Sequence, residues 1–142
     1  MAFWDSSAIV PLCINEDISQ KARMYWRRFD ECNVWAETSV EISSALARRH
    51  REGELNDSER LVAEKRLDLI ESKWMPVGHS SRITELARTF PNIHGLRALD
   101  SLQLASALVW CKEFPNGRAF VSADSRLLEA AETVGFTIHD LT

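Results

Sequence analysis

The amino-acid sequence predicts an α/β protein, a three-layer α/β/α sandwich around a central, mostly parallel sheet of about four to five short strands. Two observations support this prediction. Short apolar stretches alternate with helical patterns along the 142 residues, and such alternation is typical of right-handed βαβ units. The chain also contains no internal repeat and no linker that would divide it, so we expect one domain over residues 1–142.

The first half of the chain is predicted to contain two strands and three helices. Apolar residues recur at three- and four-residue spacing from Ile18 to Phe29, which indicates the first helix. Gly53 is a typical helix end, and Asn56 or Asp57 is a typical N-cap of the next helix. The strands are expected at 2–4 and 33–36, and the helices at 17–32, 38–53 and 56–72.

The second half is predicted to add three strands and three helices. Pro76 restricts the first of these strands to an edge of the sheet. The helix Ala98–Trp110 is apolar nearly all round, which predicts that it is buried against the sheet. The strands are expected at 74–78, 119–124 and 136–138, and the helices at 82–90, 98–110 and 125–134.

The composition argues against several classes of protein. No apolar run approaches the ~20 residues that span a bilayer, and the N-terminus does not resemble a signal peptide, so we expect a cytoplasmic protein. Cys13, Cys32 and Cys111 are scattered and odd in number, which favours reduced, buried thiols over disulfides or a zinc site. The net charge of −4 argues against a general polyanion binder. An acidic enzyme can still bind a phosphodiester when cations screen its carboxylates.

Four acidic residues are predicted to lie at the same edge of the sheet. Asp5 directly follows the first strand, and Asp124 ends the strand segment AFVSAD. Glu41 and Asp100 each lie in the first turn of a predicted helix. The carboxyl ends of parallel strands share one edge, and α/β proteins bind ligands there. All four side chains can therefore converge at one place.

Each acid also has a purely structural explanation. Asp5 and Asp124 are good helix N-caps, and Thr38-Ser39-Val40-Glu41 matches a capping box. A carboxylate in the apolar helix of Asp100 is costly unless a donor or cation compensates it. Arg97, one turn earlier, could provide a compensating salt bridge.

Considered together, the acids favour a metal site. Four carboxylates at one edge, with few basic residues nearby, would repel and raise each other's pKa values. Mg²⁺ or Mn²⁺ would remove this penalty, because these cations prefer oxygen ligands and retain waters for chemistry. Asp5, Glu41, Asp100 and Asp124 are therefore candidate metal ligands and catalytic residues for phosphodiester hydrolysis.

Four segments around these acids resemble the PIN-domain family, and most closely its VapC-type toxins. They are WDSSAIVPL, ETSVEISSALAR, LRALDSLQLASAL and FVSADSRLLEAAETVGF, and the resemblance extends over nearly the whole chain. It implies a PIN-like fold and a metal-dependent endoribonuclease whose acidic cluster is Asp5, Glu41, Asp100 and Asp124. It also implies that the hydroxyls of Ser6 and Ser122 line the cluster, although the family usually has Thr in place of Ser122.

The same resemblance implies partners. Proteins of this type generally pair with a small antitoxin, often dimerise, and cut structured RNA such as tRNA. We therefore expect an RNA substrate, a homodimer, and a cognate antitoxin that inserts a basic segment at the acidic site. We expect no association with membranes.

Two other functions fit the sequence less well. A catalytically silent PIN-like module that only binds RNA or protein would lack one or more of the four acids, and all are present. A phospho-acceptor receiver domain needs an acid after its third strand and a Lys after a late strand, and the chain has neither.

The basic run 47–51 is either a solvated helix end that complements the helix dipole or a contact for the RNA backbone.

Overall fold

A computed structural model describes residues 1–142 and contains a five-stranded sheet. The strands are β1 (Ala2–Trp4), β2 (Cys32–Trp35), β3 (Met75–Val77), β4 (Ala119–Ser122) and β5 (Thr137–Asp140). Their spatial order is β3-β2-β1-β4-β5, and every neighbouring pair is parallel. The carboxyl ends of all five strands therefore lie at the same edge of the sheet, with β1 at its centre.

Eight helices connect the strands and cover both faces of the sheet. The first four pack into one hydrophobic core and the last four into the other, which confirms the three-layer α/β/α prediction. The helices are α1 (Ser6–Cys13), α2 (Ser19–Arg28), α3 (Thr38–Arg51), α4 (Asp57–Glu71), α5 (Ser81–Ala87), α6 (Phe90–His94), α7 (Ala98–Trp110) and α8 (Ser125–Val134).

The two central strands supply side chains to both cores. Trp4 and Val121 face the first core, and Phe3 and Phe120 face the second. Trp4 packs edge-on against Trp26 with ring centroids 5.6 Å apart, and Phe3 and Phe120 stack at 5.6 Å. Because both faces of the sheet are covered, these strands are apolar at consecutive positions rather than at alternate ones.

The sequence prediction omits α1, which lies directly after β1. Its residues SSAIVPLC are mostly buried, from Ala8 to Cys13. A helix enclosed by the core lacks the apolar–polar periodicity by which helices are recognised. Pro11 inside the helix adds a second signal against one, since proline is unfavourable in helix interiors.

The helix expected near 82–90 is confirmed as α5, which ends at Ala87, three residues before the expected end, and the sequence prediction omits α6, which follows it. Ser80 caps α5, its Oγ accepting a hydrogen bond from the backbone N–H of Ile83 (3.3 Å). A second helix, α6, begins at Phe90 with Pro91 in its first turn, where proline is favoured. It ends at Gly95, whose φ of 66° is a left-handed conformation that suits glycine.

Most other expectations about the fold are confirmed. Asn56 caps α4 in a capping box with Glu59, β3 lies at an edge of the sheet, and the three cysteines are buried and free. The helix expected over 17–32 is shorter at both ends, as α2 extends only from Ser19 to Arg28. None of the helices is both long and apolar enough to cross a bilayer.

Candidate active site

The structure brings the four predicted acids to one edge of the sheet. A groove of about 1130 Å³ opens there, and Glu41, Asp100 and Asp124 line it. Asp5 is only 3 % exposed and lies below the groove, hydrogen-bonded to the lining serines Ser6 and Ser7. The acids come from the ends of β1 and β4 and from the first turns of α3 and α7.

Serine hydroxyls hold the buried carboxylate of Asp5. Its Oδ2 accepts hydrogen bonds from Ser7 Oγ and from Ser122 Oγ, the latter at 2.7 Å. The backbone N–H groups of Ala123 and Asp124 in turn donate to the Ser7 and Ser122 hydroxyls, both at 2.9 Å. Each hydroxyl has one proton, so both protons are directed at Oδ2. This arrangement fixes the carboxylate without a positive charge.

The other oxygen of Asp5 is less constrained. Asp5 Oδ1 has a single hydrogen-bond partner, Ser6 Oγ at 3.3 Å, and the same hydroxyl lies 3.3 Å from Glu41 Oε2. Asp5 occupies the N-cap position of α1, but its side chain makes no capping hydrogen bond. The capping explanation for Asp5 is therefore wrong, and Oδ1 retains lone pairs for a ligand.

Glu41 does not form the capping box that its sequence suggested. The N-cap of α3 is Glu37, and no side chain caps this helix. The Glu41 carboxylate instead accepts a 2.6 Å hydrogen bond at Oε1 from Nε2 of Gln103, a buried residue of α7. Thr38 lies inside the helix rather than before it, so its hydroxyl is not placed to cap.

Asp124 is both a helix cap and a residue of the groove. Its Oδ1 accepts hydrogen bonds from the backbone N–H groups of Arg126 (3.0 Å) and Leu127 (3.1 Å) at the start of α8. The capping explanation is confirmed for this residue. Asp124 Oδ2 makes no hydrogen bond, and the residue lines the groove beside Asp100. Capping and a role in the groove are therefore compatible.

Asp100 has no partner in the protein. It is half-buried and belongs to none of the ion pairs of the chain. The charge of Arg97 lowers the pKa of Asp100, but burial and the charges of Asp124 and Asp5 outweigh it and raise that pKa to about 6. The salt bridge proposed as a structural explanation for Asp100 is therefore wrong.

The carboxylates act on each other electrostatically. Burial is the main cause that raises the pKa of Asp5, and the charge of Asp124 adds to it, against hydrogen bonds from Ser7 and Ser122. Burial also raises the pKa of Glu41 to about 7, with contributions from Asp5 and Asp100 against the hydrogen bond from Gln103. Burial is therefore the main cause of the raised pKa values, the charges of neighbouring acids add to it, and the neutral donors offset only part of both.

The oxygen-rich site fits a hard divalent cation. No group of three or more His, Cys, Asp or Glu side chains is arranged to hold a metal ion directly. Asp5, Glu41 and Asp124 are each engaged by a donor of the protein through one oxygen. Mg²⁺ commonly retains several waters and uses only one or two carboxylates. The Asp100 carboxylate, the unbonded Oδ2 of Asp124 and the lone pairs that remain at Asp5 Oδ1 are compatible with such a site.

Two site residues were missed by the sequence prediction, Ser7 and Gln103. Ser7 contacts Asp5 and lies 3.2 Å from the Ser122 hydroxyl, and the second serine of WDSSAIV could have suggested it. Gln103 is fully buried, and an amide in an otherwise apolar helix indicates a polar partner. Ser6 and Ser122 contact Asp5, and Arg97 lines the groove.

Three arginines stand along the groove, Arg48, Arg49 and Arg97. Arg49 forms an ion pair with Glu16, with 2.5 Å between Nη1 and Oε2. Arg48 and Arg97 are exposed and belong to no ion pair. Two arginine side chains without an ion-pair partner, Arg48 and Arg97, therefore line the same groove as the acidic residues.

Similar proteins identify the family. No protein-family model matches the chain. Ribonuclease VapC45 of Mycobacterium tuberculosis (strain CDC 1551 / Oshkosh) is 30% identical over 111 residues, which cover 76% of this chain and 75% of that protein. Ribonuclease VapC49 of Mycobacterium tuberculosis (strain ATCC 25618 / H37Rv) matches with the same identity and coverage.

A solved structure has the same fold. The crystal structure of FitAcB from Neisseria gonorrhoeae matches with a TM-score of 0.63 and 15% sequence identity, covering 99% of this chain and 98% of that chain. At this identity the likeness concerns the fold alone. The two sequence relatives, at 30% identity over three quarters of the chain, show the family. The chain belongs to the VapC family of PIN-domain ribonucleases.

Proposed function

We propose that this protein is a metal-dependent endoribonuclease that uses Mg²⁺ or Mn²⁺. One observation carries the proposal. Carboxylates from four separate elements meet at one groove, and the pKa values of Asp5, Glu41 and Asp100 are raised there without an ion pair. A site so charged favours a cation, and the ribonuclease names of the two sequence relatives support RNA as the substrate.

In this proposal the four acidic residues have two different roles. Asp5 Oδ1 and the Asp100 carboxylate hold the cation, because neither is committed to a strong hydrogen bond within the protein. Glu41 and Asp124, each anchored through one oxygen, orient water with the other. When bound, the cation lowers the pKa of water and stabilises charge on the phosphate. In the hydrolysis, the water oxygen would bond to phosphorus, the P–O bond to the leaving oxygen would break, and a water proton would end on that oxygen, giving one phosphate end and one hydroxyl end.

Arg48 and Arg97 are proposed to bind the RNA backbone. The acidic floor repels phosphates, so affinity for RNA requires positive groups nearby. Arg48 follows Glu41 by seven residues on the groove-lining face of α3, which places it about 10 Å along the helix axis. That separation suits a phosphate close to the one being cleaved. Both arginines belong to no ion pair of the protein and can bind a phosphate without breaking one.

We further propose that the protein is the toxin of a toxin–antitoxin pair. Membership of the VapC family supports this role, and so does the groove, where an Arg or Lys of a partner could approach Asp100 and replace the cation's charge. We expect co-purification with the product of the neighbouring reading frame and growth arrest when the protein is expressed alone. The Asp100→Asn variant should be tolerated. Normal growth with wild-type protein and no bound partner would contradict the toxin role.

Asp100→Asn is expected to abolish RNA cleavage while leaving the fold intact. Asp100 has no partner in the protein, so removing its charge breaks no native interaction but deprives the cation of a ligand. Cleavage of total RNA in Mn²⁺ and circular dichroism give the two readouts. Asp68→Asn, the same change at an exposed position of α4, is the control. Wild-type cleavage by Asp100→Asn would contradict the nuclease assignment.

The stability of the metal-free protein is expected to fall between about pH 4 and pH 7. The pKa values of about 6 for Asp100 and about 7 for Glu41 exceed the unfolded values of roughly 4. The native state therefore binds more protons than the unfolded state in this range, and the free energy of unfolding decreases as pH rises. In EDTA near pH 7, Asp100→Asn should melt above wild type, by roughly 3 °C for each ~1 kcal/mol gained.

With Mn²⁺ bound, wild type should melt above Asp100→Asn, which is the reverse of the order expected in EDTA. A ligand that binds only the native state adds about 2.7 kcal/mol at one hundred times its Kd, and Asp100→Asn should gain less than wild type. Thermal unfolding with EDTA or Mn²⁺ measures both effects, with Asp68→Asn as control. A variant that melts well below wild type in EDTA, with no metal effect on either protein, would indicate a structural role for Asp100.

Arg48→Ala and Arg97→Ala are expected to weaken RNA binding and to reduce its salt dependence. Removing one arginine–phosphate interaction should lower the slope of log affinity against log salt by about 0.7 for single-stranded RNA. Fluorescence anisotropy in the Asp100→Asn background measures affinity without cleavage. Arg88→Ala removes the same charge from an exposed position outside the groove and should leave the slope unchanged. Equal slopes in all variants would exclude both interactions.

A further inference from the structure

Gln103 connects the two helices that carry Glu41 and Asp100. It follows Asp100 by three residues in α7 and therefore lies on the same side of that helix. Its Nε2 donates to Glu41 Oε1 at 2.6 Å and lies 3.4 Å from Thr38 Oγ1, both in α3. These are the only side-chain hydrogen bonds between α3 and α7.

The amide is costly as a core residue. Gln103 is 0 % exposed, and its Oε1 has no hydrogen-bond partner. A buried amide with an unpaired oxygen loses its hydration without full compensation, and a leucine would fill an apolar core position without that loss. What the side chain does provide is a hydrogen-bond donor, Nε2. The ionised carboxylate of Glu41 only accepts, so the amide presents Nε2 to it.

We infer that Gln103 is a positioning residue that fixes the Glu41 carboxylate relative to Asp100. Its hydrogen bond crosses from one acid-bearing helix to the other, so it sets the separation between the Asp100 carboxylate, proposed to hold the cation, and the Glu41 carboxylate, proposed to orient water beside it. This inference rests on the proposed function, because it gives Gln103 a role toward the metal. Partners that orient ligands typically change metal affinity by about 10- to 100-fold when removed.

The test compares Gln103→Leu with wild type in Mn²⁺ binding without RNA. The thermal midpoint is followed while MnCl₂ is titrated into EDTA-treated protein that has been dialysed. Gln103→Leu should remain folded and require about 10- to 100-fold more Mn²⁺ for half of its stabilisation. Its RNA cleavage should show the same shift in Mn²⁺ requirement and recover at high Mn²⁺. Ser106→Ala is the control, since Ser106 is a buried α7 residue whose hydroxyl also lacks a partner.

The outcomes separate this inference from the proposed function. A Mn²⁺ midpoint in Gln103→Leu equal to that of wild type and Ser106→Ala overturns the inference alone. Absence of any Mn²⁺ effect on wild type overturns the metal proposal, and the inference with it. Gln103→Met, which keeps an unbranched side chain, replaces the leucine variant if that one unfolds. If both unfold, Gln103 is a structural residue and the inference is overturned.

Discussion

Crowding four carboxylates into a partly buried site is the constraint on which it depends, because burial raises the pKa values of Asp5, Glu41 and Asp100 and the charges of neighbouring acids add to that effect. The protein meets it mainly with neutral donors: three serine hydroxyls at Asp5, one amide at Glu41 and two backbone N–H groups at Asp124. Neutral donors fix the direction of an oxygen without cancelling its charge. The negative charge of the site is therefore preserved, and three arginines line the groove around it.

The topology determines which acids can meet. Asp5 follows the central strand β1, and the loop after the adjacent strand β4 supplies the two N–H groups that orient the serines. Strand β2, on the other side of β1, leads into α3 and so to Glu41. Helix α7 precedes β4, and its first turn supplies Asp100 at the same edge of the sheet. Parallel neighbours at the centre of the sheet thus bring together residues more than one hundred positions apart.

The sequence predicts those parts of the structure that depend on local pattern. Alternating strands and helices were sufficient to place Asp5, Glu41, Asp100 and Asp124 at one edge, because in a parallel sheet that edge follows from the order of the elements. The partners of these acids depend on tertiary contacts and were harder to predict. Gln103 and Glu41 are separated by 62 positions, and nothing local in either segment indicates the other.

Local pattern also misled the prediction where the core overrides it. The first turn of α3 has the residue types of a capping box, yet the helix already includes Thr38, so the cap does not form and Glu41 accepts a hydrogen bond from the buried amide of Gln103 instead. Helix α1 is enclosed by the core and therefore has no polar face from which periodicity could be recognised. In both cases the packing of distant segments decided the outcome.

The double use of Asp124 has an evolutionary consequence. Its Oδ1 caps the N-terminus of α8, whereas its Oδ2 makes no hydrogen bond within the protein. Asparagine caps a helix about as well as aspartate, so a change to asparagine preserves the helix start and deletes one charge from the groove. A folded descendant with an unaltered groove shape and an impaired acidic cluster is thus a single substitution away. Lineages of this fold can thus lose one charge of the acidic cluster while retaining the helix and the shape of the groove.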